Sequence, residues 1–127
     1  GEGGSGGALA LEIGNHIYML EYAVYSVISP EGAAALLWKD ATQAPRAAQS
    51  LKITAQDLLE FGIIDGIIPE PPGGAHRNVD EQAKAIAQVL RRSLADLEQM
   101  SGDGLIAHRY EKFKAIGRFH ENRQAAR

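Results

Sequence analysis

The sequence predicts an α/β fold. Three observations carry that reading: short runs of β-branched and aromatic residues, helical segments with recognisable caps set between them, and one long stretch with apolar residues at three-and-four spacing. The chain has 127 residues, 45% of them apolar, which suits one domain better than two. Its formal net charge of −3 gives no general attraction to nucleic acid or to an anionic membrane. Cysteine is absent, which excludes disulfides and thiolate metal sites. The longest uninterrupted apolar run, residues 33–38, is far too short to span a bilayer. No charged n-region followed by an apolar h-region marks a signal peptide, so a soluble cytoplasmic protein is expected.

The chain opens GEGGSGG, with five glycines in seven residues. By composition this is a flexible tether. It also suits a tight turn feeding a helix, with backbone N–H groups left open to an anion. Residues 8–13 are good helix formers, closed by Gly14 and Asn15. Residues 17–20 and 24–28 read as two short strands. Ser29-Pro30-Glu31 starts a helix, because serine caps, proline fits the first helical position and glutamate favours the positive end of the dipole. That helix, over residues 31–39, is small and apolar and is expected to be buried. Pro45 starts another over 46–51. Thr54 caps a third, with Asp57 three residues on and Gly62 as its stop. Residues 63–68 form a β-branched run ended by Pro69 and read as a buried strand, and 69–78 are a loop. Asn78 and Glu81 predict a capping box. After it Val79, Ala83, Ile86, Ala87, Leu90, Leu94 and Leu97 keep helical spacing. Gly102 is expected to break that helix, and a last helix runs over 104–116. Residues 118–127 are a polar tail expected to fray. Only about three strands are evident. So small a parallel sheet leaves open edges, and with Gly1 as first residue the chain is expected to complete a sheet begun upstream.

Few side chains stand in catalytic patterns. The four histidines, His16, His76, His108 and His120, lack a second ligand at metal spacing. Gly4-Ser5-Gly6 comes close to a nucleophile elbow, but Ser5 has no evident histidine base. Gly1 to Gly6 fits G-x-G-x-x-G by count, yet no strand is read before it and no βαβ unit after it, so the match is weak. What remains is backbone chemistry. Glycines ahead of a helix let a ligand approach closely and aim two N–H groups at one point, as in an oxyanion hole.

Three long stretches then decide between tether and site. GEGGSGGALAL, YSVISPEGAAALLWKDATQAPRAAQSLKIT and LLEFGIIDGIIPEPPGGAHRN closely resemble the alpha subunits of bacterial acetyl-coenzyme A carboxylase carboxyltransferase, in order and spacing, over about residues 1–117. The resemblance implies a crotonase-like fold, a spiral of βαβ units with a helical C-terminal region, of which residues 1–117 form the C-terminal part. It implies transfer of a carboxyl group from carboxybiotin to acetyl-coenzyme A, giving malonyl-coenzyme A. The implied partners are a beta subunit of the same fold, which holds the zinc, and a biotin carboxyl carrier protein. Neither membrane nor nucleic acid is among them. Gly6 and Gly7 match the backbone oxyanion hole for the biotin carbonyl, with Gly7 and Ala8 as the alternative pair, while Gly3 and Gly4 shape the turn. The chain departs from the family's usual pattern at Ala33, where cysteine is common, and at Pro72, where leucine is. Other outcomes compatible with the residues are a different crotonase-like acyl-coenzyme A enzyme, a hydratase or decarboxylase, and a non-catalytic assembly piece built on the last two helices. His76 and Arg77 are candidates for contact with a partner or coenzyme phosphates, though a structural loop is the simpler role.

Overall fold

A computed structural model describes residues 1–117; the polar tail 118–127 lies outside the described residues. The chain is α/β, with four three-residue strands and six α-helices among those residues. Strand β1 (Glu2–Gly4) pairs in parallel with β3 (Val24–Ser26), placing Gly3 opposite Tyr25. Strand β2 (Tyr18–Leu20) pairs in parallel with β4 (Gly66–Ile68), placing Met19 opposite Ile67. Parallel neighbours need a crossover. For the first pair it is helix α1 (Ser5–Glu12) followed by β2. For the second it is α2 (Pro30–Trp38), α3 (Ala44–Leu51) and α4 (Ala55–Glu60).

This overturns the reading that no strand precedes the glycine turn and no βαβ unit follows it. Glycine has poor strand propensity, so β1 carries no local signal. It forms because the edge of β3 supplies its ladder, extended by Val24 N donating to Gly1 O at 3.0 Å. The glycines also enter the helix, which begins at Ser5 and ends at Glu12 rather than spanning 8–13.

The predicted caps are in place. Ser29 Oγ accepts from Gly32 N at 3.1 Å, and Thr54 Oγ accepts from Asp57 N at 3.3 Å. Asn78 Oδ1 accepts from Glu81 N at 3.2 Å to open α5 (Val79–Leu97). Two apolar clusters hold the body together. Ile17, Met19, Ala55, Leu58 and Ile64 join β2 to α4 and the approach to β4. Each buried isoleucine or leucine contributes about 1.5–3 kcal/mol. Ala33, Ala34 and Ala47 let α2 and α3 approach closely, with the Arg46 guanidinium 4.4 Å above the Trp38 ring.

Two expectations about helices fail. Only Ala33 and Ala34 of α2 are buried, while Leu36 and Leu37 are 75% and 66% exposed. In α5 the helical spacing is matched by a helix in which Val79, Leu90 and Leu94 are at least half exposed, Ile86, Ala87 and Leu97 are half-buried, and the buried residues are Gln82 and Ser93. Both find polar partners, Pro69 O for Gln82 Nε2 and His16 for Ser93 Oγ. Gly102 does not stop α5 but opens α6 (Gly102–Ala115), because Ser101 Oγ caps Gly104 N at 3.1 Å.

Candidate functional site

Gly4 is extended (φ −146°, ψ 154°) and is the N-cap of α1. The next residue, Ser5, turns the chain with φ of 52°. The left-handed residue of this turn is thus a serine, not a glycine, and it costs the backbone some strain. No side chain caps α1. In an α-helix the N–H groups of the first three residues have no intrahelical acceptor, while the fourth donates to the cap carbonyl. The N–H groups of Ser5, Gly6 and Gly7 are therefore the orphans, and Ala8 is the first residue positioned to donate within the helix.

The glycines of the turn differ in what surrounds them. A Cβ at Gly3 would lie 2.9 Å from Tyr25 Cδ2, so Gly3 lets the Tyr25 ring lie against β1. A Cβ at Gly4 would meet Ser26 O at 3.7 Å, an ordinary contact. At Gly6 and Gly7 a Cβ would meet nothing within 4 Å, and neither residue has positive φ. Ala8 is buried under the turn.

Gly3, Gly4 and Ser5 line a cleft of about 670 Å³ at the carboxyl ends of β1 and β3, together with Ser26, Ser29 and Glu31. The first turns of α1 and α2 both meet this cleft. Gly6 and Gly7 stand beside it, exposed on the first turn of α1. Tyr25 fixes the other end of that helix. Its half-buried phenol is pushed up to about 12, by desolvation first and by the Glu12 carboxylate beside it second. Burial raises the Glu12 carboxyl above its ordinary range, opposed by the Tyr25 hydrogen bond and by Lys112. One side chain of β3 thereby touches the start of the turn at Gly3 and the last residue of α1.

Sequence reasoning missed Ser5 as a cleft residue. The signal was present: Gly3-Gly4-Ser5-Gly6-Gly7 satisfies G-x-S-x-G, and the structure supplies the strand, sharp turn and helix that the motif requires. The cleft has no histidine lining among the described residues. His16 and His108 contact Ser93 and Asn15 instead. His76 and Arg77 are exposed in a 3-10 turn, Ala75–Arg77, outside the cleft. That loop is organised by Glu70, whose carboxylate accepts from Ala75 N at 2.7 Å and Tyr22 N at 3.0 Å. These two bonds, Ala75 first, hold Glu70 below the usual carboxyl range. Among the described residues no group of three His, Cys, Asp or Glu could hold a metal ion, and no helix is long and apolar enough to cross a membrane.

Residues 1–117 match the family described as acetyl co-enzyme A carboxylase carboxyltransferase-like. Similar curated proteins are alpha subunits of acetyl-coenzyme A carboxylase carboxyl transferase. That of Geobacillus kaustophilus (strain HTA426) is 68% identical over 117 residues, 92% of this chain and 36% of the relative. That of Geobacillus sp. (strain WCH70) is 66% identical over 119 residues, covering 94% and 37%. That of Anoxybacillus flavithermus (strain DSM 21510 / WK1) is 64% identical over 124 residues, covering 98% and 38%. The chain spans a little over a third of the length of the curated relatives it matches.

Proposed function

The chain belongs to the acetyl co-enzyme A carboxylase carboxyltransferase-like family, and from that premise we propose that it is part of the alpha subunit of an enzyme that carboxylates acetyl-coenzyme A to malonyl-coenzyme A for fatty acid synthesis. In this reading the fold is crotonase-like, residues 1–117 are its C-terminal part, and β1–α1–β3 is one of its βαβ units. A beta subunit, which carries the zinc, and a biotin carboxyl carrier protein complete the cytoplasmic enzyme.

The carrying observation is that Gly6 and Gly7 are required neither by positive φ nor by crowding among the described residues. What glycine preserves there is open space above two N–H groups that the helix does not use. That cradle fits the flat ureido group of biotin, whose oxygen needs close approach to backbone donors. When bound, carboxybiotin supplies the carboxyl group to be transferred. The N–H groups of Gly6 and Gly7 donate to the ureido oxygen and stabilise the negative charge it acquires. Gly6 and Gly7 suit this role better than Gly7 and Ala8, because the Ala8 N–H has the Gly4 carbonyl as its helical acceptor. Gly3 and Gly4 bring the backbone to the cleft, and buried Ala8 seats the helix on the turn. The beta subunit supplies a second pair of donors for the enolate of acetyl-coenzyme A, so the chain by itself is inactive.

Gly7→Pro in the full alpha subunit, assembled with beta, removes one donor in a turn that tolerates proline. Malonyl-coenzyme A formation should fall by roughly a hundredfold or more, the usual effect of one lost oxyanion donor; an unchanged rate would sink the assignment. Avidin added to the assembled enzyme should abolish turnover. Turnover that survives avidin would favour a biotin-independent hydratase or decarboxylase of the same fold.

A further inference from the structure

Helix α6 is attached to the α/β body by polar contacts. None of its residues is buried, and Ile106 and Tyr110 are 61% and 65% exposed. Its fastenings converge on the segment between α1 and β2. Asn15 Nδ2 donates to Leu105 O at 2.7 Å and lies 3.1 Å from His108 Nδ1. Lys112 Nζ donates to Asn15 O at 3.2 Å and pairs with the Asp65 carboxylate.

We propose that His108 is a proton-operated latch, which fastens α6 to the α1–β2 segment when neutral and releases it when protonated. The inference is independent of the carboxyl-transfer reading. It follows from donor and acceptor roles. The Leu105 carbonyl only accepts, so it fixes the Asn15 amide with nitrogen on this side. The same NH2 group then presents its second hydrogen to His108 Nδ1, which must accept and so must carry no proton. Protonation at Nδ1 sets two donors face to face across 3.1 Å.

Other polar and titratable groups stand around this contact, with the Glu12 carboxyl near enough to feel the Lys112 charge. From the α1–β2 segment the His16 ring stands 5.7 Å from the His108 ring, centroid to centroid. From β2, the Tyr18 ring stands edge-on to His16 with ring centroids 6.2 Å apart. From α5, Ser93 Oγ lies 2.7 Å from His16 Nδ1. From α6 comes the Lys112 cation. Just before β4, Asp65 Oδ2 accepts from Lys112 Nζ and from Ile17 N at 2.6 Å. His16 does not share the sensitivity of His108, because a serine hydroxyl donates or accepts as required.

The test is hydrogen–deuterium exchange of the full-length protein, corrected for intrinsic rates, at about pH 7.5 and about pH 5.5, which bracket imidazole titration. Protection of α6 relative to α5 should fall roughly tenfold at the lower pH, the scale of one lost hydrogen bond. His108→Gln keeps an acceptor that does not titrate and should hold α6 protected at both values. His16→Gln should keep the wild-type response. Asn15→Ala should leave α6 loosened at both values with no pH step. Equal wild-type protection at the two values overturns the latch, and so does a wild-type-sized step in His108→Gln or Asn15→Ala.

Discussion

The first turn of α1 presents backbone groups that the helix does not use, whereas α6 is fastened by side chains. At the turn, the groups that matter lie within seven consecutive residues, and their geometry is set by β1 pairing with β3 and by Tyr25. At α6, the partners are 93 residues apart for Asn15 and His108, and 47 for Asp65 and Lys112. A site made of backbone survives most surface substitutions but is destroyed by a methyl group in the wrong place. A clasp made of side chains tolerates added bulk but depends on each donor keeping its acceptor. Glu12 lies between the two regions: burial raises its carboxyl, and Tyr25 and the Lys112 charge oppose that rise.

The sharpest way to break this contrast is one substitution made at three glycines. Gly3→Ala drives a methyl to 2.9 Å from the Tyr25 ring and should destabilise the protein by about 1–3 kcal/mol. Gly6→Ala and Gly7→Ala meet open space and should be neutral or stabilising by up to about 1 kcal/mol, since alanine is the better helix former. Denaturant unfolding of the three variants distinguishes the positions; equal losses at all three would erase the distinction. On the clasp side, Lys112→Met removes a side chain only 11% exposed from Asp65 and from Asn15 O. It should cost about 1–2 kcal/mol, read as faster exchange in α6 with α2 and α3 unchanged. Loss spread evenly over the molecule would mean that α6 is held by something other than the clasp.

Two smaller effects test the link between the regions. Tyr25→Phe removes the phenol that opposes the rise of the Glu12 carboxyl, and a carbon-13 titration should find that carboxyl raised further. Glu12→Gln acts in the opposite direction. A carboxyl raised by folding binds its proton more tightly in the native state, so stability falls as pH rises from the unfolded value through the folded one. The glutamine variant should therefore be more stable than wild type at neutral pH, by less than about 1 kcal/mol for so partly exposed a group. That advantage should close as pH drops toward the ordinary carboxyl range. An advantage that grows on acidification would reverse the sign of the assignment.

Local chemistry was legible in the sequence, and pairing was not. The caps at Ser29, Thr54 and Asn78 are side-chain-to-backbone bonds spanning three residues, so text alone reveals them. The glycine turn was legible as a place where backbone is exposed. Its strand was not, because Glu2, Gly3 and Gly4 have no strand preference and depend on Val24, Tyr25 and Ser26 across the ladder. The apolar spacing of α5 announced a helix but not its surroundings, for a related reason. Periodicity marks a face but not what it meets, and the inward face is read instead from Gln82 and Ser93 once Pro69 and His16 are placed. Gly102 looked like a stop because glycine usually ends a helix, although Ser101 before it and Asp103 after it are the signals of a helix start.

In the proposed function, the open space at Gly6 and Gly7 exists for a ligand. Its most direct test is carboxyl transfer by Gly7→Ala in the full alpha subunit assembled with beta, with thermal unfolding measured on the same preparation. The prediction is an undiminished melting temperature with turnover reduced on the order of a hundredfold, the scale expected when a reacting group is displaced by about an ångström. A variant that unfolds like wild type and also turns over like wild type would contradict the claim.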